Sequence, residues 1–175
     1  MTGAEQFADT TLIMFAKLVL AMLLGGILGT ERAVMARQVA GTRTFGLVAL
    51  GSCLLVITGN YVDIALIGIL NFDPTRIAAA IVTGIGFLGG GLIIFKGQTQ
   101  HGITTAAGLW IAAAVGIAVG FGLYSIAIFS SILVLLIFTG MWYLENRFKH
   151  WFEDGHHISS DSGTAVKVPQ SNSLP

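Results

Sequence analysis

Between Asp73 and Glu145 the chain carries no carboxylate at all, and only Arg76 and Lys96 bring a full positive charge to that stretch. A water-soluble domain has roughly a quarter of its residues charged. Here the charged fraction is 10% and the hydrophobic fraction 54%. Such a chain cannot solvate a globule; the solvent it matches is hydrocarbon, where ionised side chains are rare and costly. Nine Lys and Arg balance nine Asp and Glu, so there is no basic footprint for nucleic acid. The single Cys53 lies in an apolar stretch, which argues against a disulfide framework or a cysteine metal cluster. With no nucleophile–base pair and no metal triad in view, the chain reads as non-enzymatic and without a cofactor.

Uncharged apolar stretches of about 18 residues or more are long enough to cross a bilayer as helices. Five are found: Leu12 to Gly29, interrupted only by Lys17; Thr44 to Tyr61; the residues from Arg76 to Phe95; Thr104 to Phe121; and Leu123 to Tyr143. They predict an all-α integral membrane protein, a compact bundle of about five transmembrane helices over residues 1–151. Residues 152–175, rich in Ser, Gly, Asn and Asp, read as a disordered cytoplasmic tail. The apolar run Ile64 to Leu70 is too short to cross and reads as interfacial, a sixth span being the alternative. Arg32, Arg37, Arg43, Lys96, Arg147, Lys149 and Lys167 fall on one side of this arrangement and Arg76 on the other. Basic loops stay in the cytoplasm, so the N-terminus is predicted outside and the C-terminus inside. Glu5 and Asp9, with no basic residue before Lys17, make a cleavable signal peptide a poor reading.

Glycine is placed with a period. Gly25 and Gly29, Gly86 and Gly90, and Gly116 and Gly120 each stand four apart on an apolar helix. That spacing lines small residues along one stripe, where another backbone can approach closely. The stripes serve either packing within the bundle or a homodimer face. The fingerprint-like Gly84-Ile85-Gly86-Phe87-Leu88-Gly89 lies mid-span with no strand before it, so no dinucleotide site is read there.

The few charges inside or beside the spans are the functional candidates. Lys17 lies several ångströms within the hydrocarbon; it either snorkels to the boundary or needs a partner, for which Asp9, Asp63 and Asp73 are available. Asp73-Pro74-Thr75-Arg76 reads as a helix start with Asp73 as its cap; the alternative is a weak outward-facing cation site with Asp63. Glu31 opposes the dipole at the end of the first span, and a pair between Glu31 and Arg43 would relieve that. Arg32 satisfies topology. Thr104 and Thr105 open the fourth span, as caps or as a polar notch. The four histidines show no ligand spacing.

In series, Leu23-Leu24-Gly25-Gly26-Ile27-Leu28-Gly29-Thr30-Glu31-Arg32, Ala40-Gly41-Thr42-Arg43-Thr44, Asp73-Pro74-Thr75-Arg76-Ile77-Ala78-Ala79, Gly84 to Gly91, and Gly102-Ile103-Thr104-Thr105-Ala106-Ala107-Gly108-Leu109-Trp110 resemble the membrane domain of the MgtC/SapB family. The likeness covers most of residues 12 to 143. It implies a multi-pass bacterial inner-membrane protein associated with adaptation to low magnesium, acting through other membrane proteins such as the proton-driven ATP synthase. Lys17, Glu31, Arg32, Arg43, Asp73 and Arg76 match the family's charged positions. The best-known members carry Asn where this chain has Thr104, Cys where it has Ile111, and an acid where it has Lys96; larger members continue into a soluble domain. The function expected is a non-enzymatic regulator of magnesium or ion homeostasis, working through contacts with itself or another membrane protein. A cation transporter or channel is the alternative.

Overall fold

The structure is a computed structural model, and it describes residues 3–34, 40–65, 73–96 and 99–153. Five helices follow one another: α1 (Gly3–Val34), α2 (Thr42–Ala65), α3 (Pro74–Leu92), α4 (Ile103–Gly120) and α5 (Tyr124–Glu153). Four contain a segment long and apolar enough to cross a membrane: Thr10–Val34, Thr42–Val62, Thr75–Leu92 and Ile103–Gly120. The apolar part of α5, Tyr124–Gly140, is shorter. The all-α membrane architecture is therefore as the sequence reads. The chain divides at Thr139: residues up to it form one compact unit, and Gly140 onward forms another.

The boundaries differ from the hydropathy reading in ways that have physical causes. The α1 helix begins at Gly3, well before the apolar run, and the α2 helix extends to Ala65, taking in two residues read as interfacial. Residues 66–70 and the tail 154–175 lie outside the described residues. Between α3 and α4 stands an unforeseen antiparallel hairpin, β1 (Ile94–Lys96) with β2 (Thr99–His101), Lys96 opposite Thr99. Three-residue strands are too short to show a period of two, so hydropathy alone could not reveal them. Gly102 closes the hairpin at φ +93, where a Cβ would collide with the Leu92 carbonyl. Only glycine permits that approach, and it joins the end of α3 to the start of α4.

Half of the α4 apolar window is buried, against 17% for α3. The core accordingly lies among α1, α2 and α4, around Leu28, Phe45, Cys53, Leu109 and Val119. Helices in lipid gain little from hiding Leu behind Leu, because acyl chains are equally apolar; they associate where small residues let backbones come close. A Cβ at Gly25 would lie 2.7 Å from the Phe45 carbonyl oxygen and one at Gly29 2.6 Å from that of Gly41. At Gly116 it would meet the Ala49 carbonyl, and at Gly120 it would lie 2.7 Å from Cβ of Val56. Two of the three stripes thus seat α1 and α4 closely against α2. The third behaves otherwise: a Cβ added at Gly86 or Gly90, or at Gly84 or Gly91, would meet nothing described within 4 Å.

The outer surface is apolar, Phe87 being 85% exposed. Exposed threonines on it satisfy themselves: Thr58 donates to the Leu54 carbonyl at 2.8 Å and Thr83 to that of Ala79 at 2.9 Å. This i−4 back-bonding leaves neither of these two hydroxyls a bare donor.

These contacts separate the stripes by experiment. Gly116→Val should destabilise the purified protein by about 1–3 kcal/mol or more through overpacking. Gly86→Ala and Gly90→Ala should shift it by less than about 0.5 kcal/mol. Thermal unfolding in detergent measures both; equal losses at the two stripes would contradict this packing.

Candidate functional site

Two polar nodes are built into the α1–α2–α4 core, about 22 Å apart along α1 at 1.5 Å per residue. The first is Lys17. The α4 helix ends in a left-handed turn at Gly122, φ +82. Leu123 donates to the Ala118 carbonyl (2.8 Å), Gly122 to that of Val119 (2.9 Å), and Phe121 to that of Ile117 (3.0 Å). This is the paired closure that glycine at C′ allows. Of the last four carbonyls only Gly120 is left over, and the Lys17 ammonium donates to it at 3.0 Å. A cation at a helix C-terminus also meets the negative end of the dipole. The partner of Lys17 is therefore the backbone of α4, and a carboxylate is not needed. Asp73 is engaged elsewhere, and the side chains of Asp9 and Asp63 lie outside the description.

The second node closes the other end. The charge count gives Arg32 a role in topology only, but α1 continues to Val34 and Arg32 is buried, 8% exposed. Its Nε donates to Glu31 Oε2 at 3.0 Å. Its guanidinium carbon stands 3.8 Å from the centroid of the Phe138 ring on α5. The expected pair between Glu31 and Arg43 is thus replaced by Glu31–Arg32, and Arg43 is exposed. The reason lies in the rotation of α1: both side chains are drawn inward, where each needs the other's charge, and Arg32 also meets the dipole at the end of α1. Phe138 reaches this position because Gly108 makes room: a Cβ there would lie 2.9 Å from Phe138 Cζ and 3.0 Å from Phe45 Cε1. Phe45, Gly108, Gly122 and Phe138 were not picked out by sequence reasoning; single aromatic and glycine positions on apolar helices carry no spacing signal.

The remaining candidates do not join these nodes. Asp73 caps α3, Oδ1 accepting from Thr75 N at 2.9 Å and from Thr75 Oγ1 at 2.6 Å, with Pro74 in the first turn. Arg76 is exposed in the same turn, its amide bonded to the Asp73 carbonyl at 3.0 Å. The Thr75 hydroxyl and amide, and to a smaller extent the Arg76 charge, hold the Asp73 carboxyl below the usual carboxylate range. Thr104 and Thr105 part company: Thr105 is buried and Thr104 exposed, so they line no common notch. Among the described residues no three His, Cys, Asp or Glu side chains converge as metal ligands.

Two outcomes follow. Lys17→Met makes α1 more apolar, yet should lower thermal stability in detergent by about 1.5–3 kcal/mol, the range for a hydrogen bond to a charged group; unchanged stability would mean the ammonium is simply solvated. The Asp73 cap has a depressed folded pKa, so its contribution is complete above the ordinary carboxylate pKa and disappears as pH falls through the lower folded value. The protection of the Thr75 amide, measured against its intrinsic exchange rate at each pH, should therefore fall on acidification, and Asp73→Asn should remove that pH dependence.

Known proteins place this arrangement. The family model described as the MgtC family matches residues 18–147. "Putative magnesium transporter YhiD" of Escherichia coli (strain K12) is 40% identical over 123 residues, 69% of this chain and 57% of the relative. "Protein MgtC" of Brucella abortus (strain 2308) is 43% identical over 117 residues, 67% of this chain and 46% of the relative. A protein of Haemophilus influenzae is 37% identical over 136 residues, 74% of this chain and 56% of the relative. The chain spans about half the length of the curated relatives it matches. No solved structure matches it. The matched segment takes in the Arg32–Phe138 node and every glycine stripe, and with four apolar helices it makes a multi-pass membrane protein. The chain belongs to the MgtC family.

Proposed function

We propose that this protein is a non-enzymatic regulator of magnesium or ion homeostasis in the bacterial inner membrane, N-terminus outside, acting by contact with other membrane proteins or with a second copy. The observation that carries the reading is the outward half of α3. A Cβ added at Gly84, Gly86, Gly90 or Gly91 would meet nothing within 4 Å, and Gly86 and Gly90 border an open groove beside Ala106 and Trp110 of α4, whereas the stripes on α1 and α4 are closed against α2. In lipid a small-residue face is where another helix can approach. The polar residues of the core support the same reading, because Lys17 and Arg32 are bound to a carbonyl and a carboxylate of the bundle. The connection to magnesium comes from the names of relatives in the family. The ATP synthase is one partner class to look for, on the family resemblance.

The test is the set of proteins that copurify, after crosslinking in native membranes, under low and ample magnesium. A specific membrane protein, or a second copy, should be recovered with the wild type. Its yield should drop about ten-fold with Gly86→Leu/Gly90→Leu, a variant expected to stay folded. An unchanged set of partners with that variant would defeat the proposal.

A second reading is favoured by one observation, the magnesium transporter in the name of YhiD. It makes the chain a cation carrier or channel. Purified protein in liposomes loaded with a magnesium-sensitive dye decides it: flux under an imposed gradient supports transport, and none rejects it.

A further inference from the structure

Past their close contact at Gly25 and Gly29, α1 and α2 open an outward apolar groove of about 550 Å³. Its walls are Met22, Leu23 and Ile27 from α1 and Gly46 and Leu47 from α2. Any such groove on a helix bundle in a bilayer is filled by lipid tails; what sets this one apart is its polar end. Arg43 lines it, exposed in the first turn of the apolar window that starts at Thr42. The same residue borders a polar hollow of about 280 Å³ with Gly41, Thr42 and Thr44.

Among the described residues no carboxylate neutralises Arg43. Glu31, at the neighbouring end of α1, is bound to Arg32 at 3.0 Å and buried. The first turn of α2 contains no acidic residue. The hydroxyls beside it are committed as well. The Thr30 hydroxyl donates to the Gly26 carbonyl at 2.8 Å, so Thr42 donates to Thr30 at 2.9 Å, tying the helix ends together. Arg43 is left as the side-chain donor at the mouth of the groove. A guanidinium offers a planar fork that fits the oxygens of a phosphate, and it stays charged at any physiological pH. Basic pockets between membrane helices are where lipid headgroups are held.

We propose that the α1–α2 groove binds one anionic phospholipid, with an acyl chain between the two helices and the headgroup phosphate on the Arg43 guanidinium. The occupant is assigned by charge complementarity: a zwitterionic lipid supplies the same chain but brings its own cation beside the phosphate, which Arg43 repels. The inference is independent of what docks on α3, since every residue of the groove belongs to α1 or α2.

The full chain, purified in detergent, is titrated with phosphatidylglycerol, with phosphatidylethanolamine and with the soluble headgroup glycerophosphoglycerol, and adducts are counted by native mass spectrometry. Phosphatidylglycerol should be retained as one adduct with about ten-fold preference over phosphatidylethanolamine, the scale of one charge-assisted contact. Arg43→Gln should erase that preference, Arg43→Lys should keep part of it, and Ile27→Trp, which fills the groove, should lower retention of both lipids. Glycerophosphoglycerol alone should not bind. Equal retention of the two lipids by the wild type overturns the proposal, as does a preference that survives Arg43→Gln. Binding of the soluble headgroup as tightly as the lipid points to a free phosphate compound instead, and efficient crosslinking between copies through Leu23→Cys points to a second chain; either also overturns it. Should Arg43→Gln unfold in parallel melting measurements, Arg43→Lys and Ile27→Trp still decide the outcome.

Discussion

The backbone of α2 is touched on two flanks, by Gly25 and Gly29 of α1 and by Gly116 and Gly120 of α4, and the other features of the bundle follow from that closeness. In water a bundle is held by hiding apolar surface. In hydrocarbon that drive is absent, and attraction depends on dispersion between surfaces in true contact. A missing Cβ is worth most here, because it brings carbonyl oxygens and Cα atoms of a neighbour within reach along several turns. The buried ring of Phe45, wedged against Gly29 and Gly108, shows the complementary device: where backbones are close, one large side chain fills the remaining angle.

Close packing alone would leave polar groups stranded, and the protein answers each with a local partner. The end of α4 is accounted for carbonyl by carbonyl, three by its own turn and the last by Lys17. At the opposite end Arg32 is shared between the Glu31 carboxylate and the face of Phe138, which draws α5 onto the bundle. Both cations therefore act as joints between helices. That places their cost inside the fold and separates them from Arg43, which is exposed and has no such task.

The α3 helix stands apart in the same terms. It is capped by Asp73 and joined to α4 through the Gly102 turn, but only its Ile77, Ile81 and Ile85 side meets the core. The rest presents glycines and Phe87 outward.

Much is legible in the sequence itself. Charge scarcity named the solvent, apolar length named the spans, the run Asp73-Pro74 named a helix start, and five motifs in series named the family. These are local properties, set by composition and by the fixed rise of a helix. Which glycine stripe is closed and which open was not legible, because spacing marks a face without saying what lies opposite. Nor were the partners of Lys17 and Arg32: one is a backbone carbonyl 103 positions away, the other a ring on the last helix. Sequence alone determined that the chain lives in a membrane as a helical bundle of this family. Only the tertiary structure decided which charges are structural joints and which face is free, because both depend on how each helix is turned about its own axis, a rotation that a uniformly apolar helix does not record.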